Sequence, residues 1–314
     1  MASQLDVGRL RLLHAVGVRG SIAAAARSVG LSASAVSQQL SVLERETGTA
    51  LLDRSPRGVV LTGAGHALAA RAAQVLDVLA AANADLDRLA GSSAGPVRIA
   101  AVASAAATVV SDAVRALRPT DPGIEISVVA AEPERGIGLL LRADVDIAVV
   151  DEYDYVPLAL PDSATVRELG VEPLVVIRPP GTATRAPVLA DLAEADWVMP
   201  PEDAACGRAV RAACRTAGFE PRVRWETDDM LLLARAVAAG HGVAVLPRRC
   251  VDLDAVPLDV HPVRAPALSR RLLAVVRPSV AARPVVSVVL GALAAASSSP
   301  TGAGRKVFRR VAPK

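Results

Sequence analysis

Residues 21–65 read SIAAAARSVGLSASAVSQQLSVLERETGTALLDRSPRGVVLTGAG, and their punctuation decides the fold of the N-terminal region. Ser21 is placed to cap a helix over 22–29, Gly30-Leu31 makes a turn, and Ser32 caps a third helix over 33–47 that Gly48 ends. Upstream, residues 5–18 (LDVGRLRLLHAVGV) carry a helical period, with Leu10, Leu13 and Gly17 on one face and Arg9 and Arg11 off it. Three short helices with a tight glycine turn between the last two predict a helix-turn-helix. In the third helix Val36, Leu40 and Leu43 follow i, i+4, i+7 and face a core. Ser34, Ser37, Gln38 and Ser41 fall opposite, small and polar. Such a face can sit deep in a major groove, where Gln pairs bidentately with adenine and Ser meets base or phosphate. On periodicity alone it reads equally as solvated surface.

Downstream, Leu51-Leu52 and Val59–Leu61 are short strand candidates around the turn Ser55-Pro56-Arg57-Gly58, which predicts a β-hairpin wing. Arg57 at its tip suits the minor groove or a phosphate; Arg54 suits the same role or a pairing with Asp53 or Glu44. Thr62 caps a Pro-free helix over 63–90, about 40 Å long at 1.5 Å per residue. Its apolar positions Leu68, Val75, Leu76, Leu79, Leu86 and Leu89 exceed what one small domain can cover, so the helix needs a partner, most simply a second copy. Residues 91–96 have linker composition.

Beyond them strand and helix alternate. Strands are expected at 97–102, 124–129, 145–150, 172–177, 197–199, 223–226, 242–246 and 271–276. Helices are expected at 104–117, 135–142, 189–193, 204–217, 228–239 and 281–295. This alternation predicts parallel sheets, and about 200 residues suit two α/β lobes. Ligands of such lobes sit at strand C-termini and helix N-termini. Candidates there are Ser104, Glu132, Asp151, Glu202, Cys206, Thr227 and Asp228; each alone also suits helix capping or packing.

The N-terminal segment resembles the winged-helix domain of LysR-type transcriptional regulators. The matching features are Ser21 with its Ala-rich helix, Ser32-x-Ser34-Ala35-Val36-Ser37, Gln39-Leu40 and Leu43-Glu44. Leu51-Leu52, Arg54, Arg57-Gly58 and Leu61-Thr62-x-Ala64-Gly65 continue them in register. The remainder resembles the family's effector domain at Leu139-Leu140 before Asp144-Val145-Asp146, at Glu172-Pro173-Leu174-Val175, and at Ala238-Ala239-Gly240-x-Gly242-Val243-Ala244-x-Leu246-Pro247. Ala33-Ser34 stands where a Gln-Pro pair is common, and Gln38 where Arg is frequent.

The resemblance implies an α/β protein: a winged helix-turn-helix over 1–62, a linker helix for dimerisation over 63–90, a hinge linker over 91–96, then two Rossmann-like lobes over 97–296 resembling periplasmic binding proteins. Lobe I takes about 97–168 and 268–296, lobe II about 169–267, and 297–314 is a basic disordered tail. It implies double-stranded DNA contacted by Ser21, Ser32, Ser34, Ala35, Ser37, Gln38, Ser41, Arg54 and Arg57, and a small-molecule effector held among the seven cleft candidates. Self-association as a dimer or tetramer and RNA polymerase as a further contact follow from it as well, while cysteine usage without a disulfide framework suits a cytoplasmic location.

Composition fits. Hydrophobic residues at 52% and charged residues at 21% exclude a disordered chain, while aromatics at 2% leave the core to Ala, Val and Leu. The net charge of +3 comes from the tail: Arg305, Lys306, Arg309, Arg310 and Lys314 are five of the 35 bases, so residues 1–300 carry 30 bases against 32 acids. Global charge is therefore no argument for nucleic acid. Three cysteines (206, 214, 250) form no disulfide framework, and neither the start of the chain nor Pro284–Ala296 has the form of a signal peptide or a bilayer span. Gly136-x-Gly138 lacks a third glycine, no HExxH, P-loop or GxSxG occurs, and His14, His66, His241 and His261 are isolated. No catalytic residue, metal or cofactor is expected. A solute-binding protein would need a signal peptide and no wing, and a metabolic α/β enzyme would need a catalytic constellation. With acids among the candidate turns and Arg135 and Arg208 the nearest bases, a small polar or amine-bearing metabolite fits better than an aromatic acid.

Overall fold

The structure, a computed structural model, describes residues 5–55, 58–89, 94–182, 186–251 and 256–298. Its first three helices are α1 (Val7–Arg19), α2 (Ile22–Val29) and α3 (Ala33–Thr47). Each is started by a side chain that takes an orphan N–H: Asp6 accepts from Arg9 N, Ser21 from Ala24 N, and Ser32 from Ala35 N. Gly30, at φ +70°, makes the turn into α3 that a β-carbon would strain. Leu13, Val16, Ala25, Val36, Leu40 and Leu43 close the core between the helices.

The wing is β1 (Leu52–Ser55) paired antiparallel with β2 (Gly58–Leu61). Glu44 of α3 accepts both the Leu51 and Leu52 N–H groups through Oε1, which ties the wing's first strand to the helix. Thr62 accepts from Gly65 N and so caps α4 (Gly63–Leu89) as expected. Ala69 and Ala72 of α4 are buried, whereas Val75, Val78, Leu79 and Leu86 are exposed, Val78 by 69%.

The α/β region follows. Its first part is β3 (Gly95–Ala101), α5 (Ala103–Ala105), a π-helical turn (Ala106–Val110), α6 (Ser111–Thr120), β4 (Ile124–Ala130), α7 (Pro133–Leu141) and β5 (Ile147–Tyr153). Next come β6 (Thr165–Arg178), a 3-10 turn (Leu189–Leu192), β7 (Asp196–Met199), α8 (Ala205–Thr216), β8 (Arg222–Glu226), α9 (Met230–Ala238) and β9 (Ala244–Pro247). The chain closes with α10 (Arg248–Val251), β10 (Asp259–Pro262), β11 (Ser269–Val276), α11 (Pro278–Ala281) and α12 (Pro284–Ser298).

Three expectations are corrected here. The seven-stranded sheet is mixed, not parallel: β3 is parallel to β4 and β5, but β11 returns from the second lobe and pairs antiparallel with β5 and β6, while the separate β7–β8 pair is parallel as expected. The helix expected at 104–117 is broken by the π-helical turn, where Thr108 Oγ1 donates to the Ser104 carbonyl at 2.7 Å, and it runs past Pro119 to Thr120. The strand expected at 172–177 runs from Thr165 to Arg178. It belongs to both lobes, pairing with β11 on one side and with β9 and β10 in the second lobe.

One core lies under α12 and α6 around Ile99, Val149 and Val286, and another between α8 and the second lobe's strands around Trp197 and Leu174. The N-terminal unit touches the first lobe. Arg19, the last residue of α1, donates to both oxygens of Asp144, 2.8 Å from Nη1 to Oδ2, and Arg142 Nε reaches the same carboxylate at 3.2 Å. α11 packs on α4.

Candidate functional site

Two faces carry the chemistry expected from the sequence. On α3, Val36, Leu40 and Leu43 are buried, and the opposite side presents Ser34 and Gln38 exposed, with Ala35, Ser37 and Ser41 half-buried. Ser21 and Ser32 spend an oxygen lone pair on helix caps, and the Ser32 hydroxyl also lies 3.0 Å from Ser34 Oγ. Arg54 belongs to β1, but its side chain, like all of Arg57 and residues 299–314, lies outside the described residues.

The second face is a cavity of about 180 Å³ between the lobes. Ser104, Glu132, Asp151, Cys206 and Asp228 all line it, brought together from β5, α5, α8 and the turns before α7 and α9. Two candidates do not join them. Glu202 lines a different cavity behind α8. Thr227 is used in its turn, its N–H donating to Met199 O and its Oγ1 accepting from Asp229 N. Ser104 is also not a helix cap: Val102 holds that position, and Ser104 sits inside α5.

The Ser104 hydroxyl accepts instead from Arg270, a residue absent from the expected set. Arg270 projects from β11 and is fully buried. Its Nη1 donates to Ser104 Oγ at 2.7 Å and to Asp151 Oδ2 at 3.0 Å, and its Nε donates to Glu172 Oε2 at 3.0 Å. Nη2 lies 2.9 Å from the same Glu172 oxygen but off the N–H axis, an ionic contact without a hydrogen bond. Burial works against the Arg270 charge, but Tyr153, Cys250, Glu172 and Asp151 outweigh it and hold its pKa well above the ordinary value. Three elements, β5, β6 and β11, thus meet at one guanidinium under the cleft floor. Period-2 alternation was the available signal, since Arg270 shares a strand face with Leu272, Ala274 and Val276.

Burial pushes the Cys206 thiol up to about 12 and the Cys250 thiol to about 11, so both remain protonated and behave as small apolar groups. The cavity wall also includes Glu134 and Asp203, and no Lys or Arg is among the described residues lining it. Arg270 beneath it is already matched by Asp151 and Glu172. Desolvation, followed by repulsion from Asp151, Asp228 and Glu134, raises the Glu132 pKa. No group of His, Cys, Asp and Glu suited to a metal ion occurs among the described residues.

The winged unit and the two-lobed cleft on one chain decide the comparison with known proteins. The family described as "Bacterial regulatory helix-turn-helix protein, lysR family" matches residues 7–66, and "LysR substrate binding domain" matches 90–298. The chain belongs to the LysR family of transcriptional regulators. It is a DNA-binding transcriptional regulator with an effector-binding domain. Among its relatives, the small neutral protease regulatory protein of Streptomyces coelicolor is 32% identical over 297 residues, 92% of each chain. The regulator GbpR of Rhizobium radiobacter is 32% identical over 79% of this chain and 83% of its own. A full-length OxyR from Pseudomonas aeruginosa shares the fold at a TM-score of 0.71 with 21% identity, covering 92% of this chain and 95% of that one. ArgP from Mycobacterium tuberculosis does so at 0.64 with 24% identity, over 94% and 98%.

Proposed function

We propose that this LysR-family regulator reads its operator with α3 and is switched by a small cationic metabolite, an amine, bound between its lobes. The acidic cleft carries the second part of this reading. Glu132, Glu134, Asp151, Asp203 and Asp228 line it and its one neighbouring guanidinium is already neutralised, so an ammonium group relieves repulsion that a carboxylate would increase. Ser104, Glu132, Asp151, Cys206 and Asp228 form the effector site, while Glu202 and Thr227 stand outside it.

On the DNA side, Ser34, Ala35, Ser37, Gln38 and Ser41 meet base edges in the major groove. Ser21, Ser32, Arg54 and Arg57 meet the backbone or minor groove. Residues 1–62 act as the DNA-binding domain, 63–90 as the dimer helix joined to the rest by 91–96, and 97–296 as the sensor. The exposed apolar stripe of α4 pairs with a second copy, and dimers associate further into tetramers that contact RNA polymerase. The protein acts without catalysis, in the cytoplasm; no helix among its described residues is long and apolar enough to cross a membrane.

Calorimetry of the full chain against matched mono- and diamines, amino acids and carboxylates tests the effector. Amines should bind and Glu132→Gln with Asp228→Asn should weaken them. A simple carboxylate that binds while every amine fails would sink this reading. Footprinting on the DNA upstream of the protein's own gene tests the operator half separately.

A further inference from the structure

α3 continues past the residues assigned to the operator. Ser34, Gln38, Ser41 and Arg45 stand at i, i+4, i+7 and i+11, the spacing that stacks side chains along one face of a helix. Arg45 therefore shares the face opposite Val36, Leu40 and Leu43, in the last turn of α3. It is exposed, and its Nε donates to the Ser41 carbonyl at 3.4 Å. That bond turns the side chain back toward the helix N-terminus, over Ser41. Among the described residues neither Nη group has a protein partner and Arg45 has no ion pair. The acids beside it are committed elsewhere: Glu44 accepts the Leu51 and Leu52 N–H groups, and Glu46 holds Arg9 at 2.5 Å. Of the arginines in α1 and α2, Arg9 is spent on Gln39 and Glu46 and Arg19 on Asp144, while Arg11 and Arg27 are exposed on those other helices. Arg45 is thus the one cation on a face otherwise made of Ser and Gln.

We propose that Arg45 is a further DNA-contacting residue, which clamps a backbone phosphate at the edge of the major groove and so fixes the register of α3 within it. This rests on the reading of α3 as the recognition helix. From Ser34 to Arg45 the face runs about 16 Å at 1.5 Å per residue, longer than the major groove is wide, about 12 Å. A recognition helix reads bases from its N-terminal part. Its last turn then stands beside a strand of phosphates, and a guanidinium there forms charge-assisted bonds to phosphate oxygens. Such a contact adds affinity for any duplex and reads no base. The bond from Nε to the Ser41 carbonyl leaves the Nη edge of the fork for the phosphate and ties that contact to the turn that carries Ser41.

The test uses the full chain and two duplexes, one that the chain selects from a random-sequence pool and one unrelated sequence of equal length. Fluorescence anisotropy reads affinity across a salt series. Arg45→Ala should reduce the slope of log affinity against log salt by about 0.9 per bound subunit, one phosphate contact, and weaken both duplexes by the same factor. Arg45→Lys should keep the parent slope, since an ammonium still holds a phosphate as a point charge. Arg11→Ala removes the same charge from α1, about 200° round that helix from the Arg9 side chain that meets α3, and should leave the slope in place. A slope unchanged in Arg45→Ala, an equal loss in Arg11→Ala, or a lower ratio between the duplexes in Arg45→Lys overturns the phosphate clamp. Ser37→Ala with Gln38→Ala keeps the two readings apart, because it should lower the ratio and spare the slope. A lowered ratio there beside an unchanged slope in Arg45→Ala sinks the Arg45 role alone; an unchanged ratio there sinks the recognition helix and the clamp with it.

Discussion

Arg270 places a full charge on a strand face otherwise formed by Leu272, Ala274 and Val276, and its worth lies in the two carboxylates it satisfies. Replacing it with Met would leave Asp151 and Glu172 buried and unmatched, which costs about 3–5 kcal/mol. Chemical denaturation should show that loss, and Lys should not rescue it, because an ammonium cannot reach Ser104, Asp151 and Glu172 as one planar fork. Glu132 has the opposite sign. Its pKa is raised in the folded state, so at neutral pH folding bears the desolvation of an ionised carboxylate and its repulsion by Asp151, Asp228 and Glu134. As pH falls through that raised pKa, the native state takes up the proton first and the penalty fades. Glu132→Gln should therefore melt above the parent at pH 7, with the gap closing on acidification; a gap that widens toward acid would contradict the raised pKa. Five of the seven candidates line the cavity, and they could be picked out in the sequence because they sit at helix starts and strand ends, where spacing marks them. Arg270 and Glu172 could not, because they stand 98 residues apart in sequence and meet only as directly opposed residues of paired strands, a proximity that sheet pairing creates.

At the scale of elements, the roles proposed for α3 and α4 are separable. Gln38→Ala with Ser37→Ala should lower discrimination between operator and unrelated DNA by about 1–3 kcal/mol per lost base contact, while circular dichroism stays that of the parent. In α4, Leu79→Asp puts a charge into the exposed apolar stripe and should convert dimers to monomers in sedimentation. Intact dimers would place the contact elsewhere. The helices of the N-terminal unit were readable almost to the residue, since each has a polar cap at one end and a glycine at the other. The π-helical turn had no such mark. Its sequence, Ala106–Val110, suits an ordinary helix, and the extra residue is accommodated by the Thr108 hydroxyl bond to Ser104. β6 was read short because only its second half is a continuous apolar run.

Across the whole molecule, the contact of Arg19 with Asp144 holds the DNA-binding unit against the sensor. The helix behind that carboxylate, α7, starts at Glu132 in the cleft and ends beside Arg142 and Asp144. Asp144→Ala should loosen the two parts, seen as a larger radius of gyration in X-ray scattering. The exchanged pair, Arg19→Asp with Asp144→Arg, should restore the parent value only in part, because Arg142 loses its carboxylate and faces a second guanidinium. β11 lies between β5 and β6, yet its residues, Ser269–Val276, are among the last of the α/β region to be made. A nascent chain that has reached residue 268 has every other strand of the sheet but a gap in its middle, with the inner edges of β5 and β6 open. During synthesis those two edges are the protein's exposure to mispairing and to chaperones, and the eight residues of β11 end it by filling the gap.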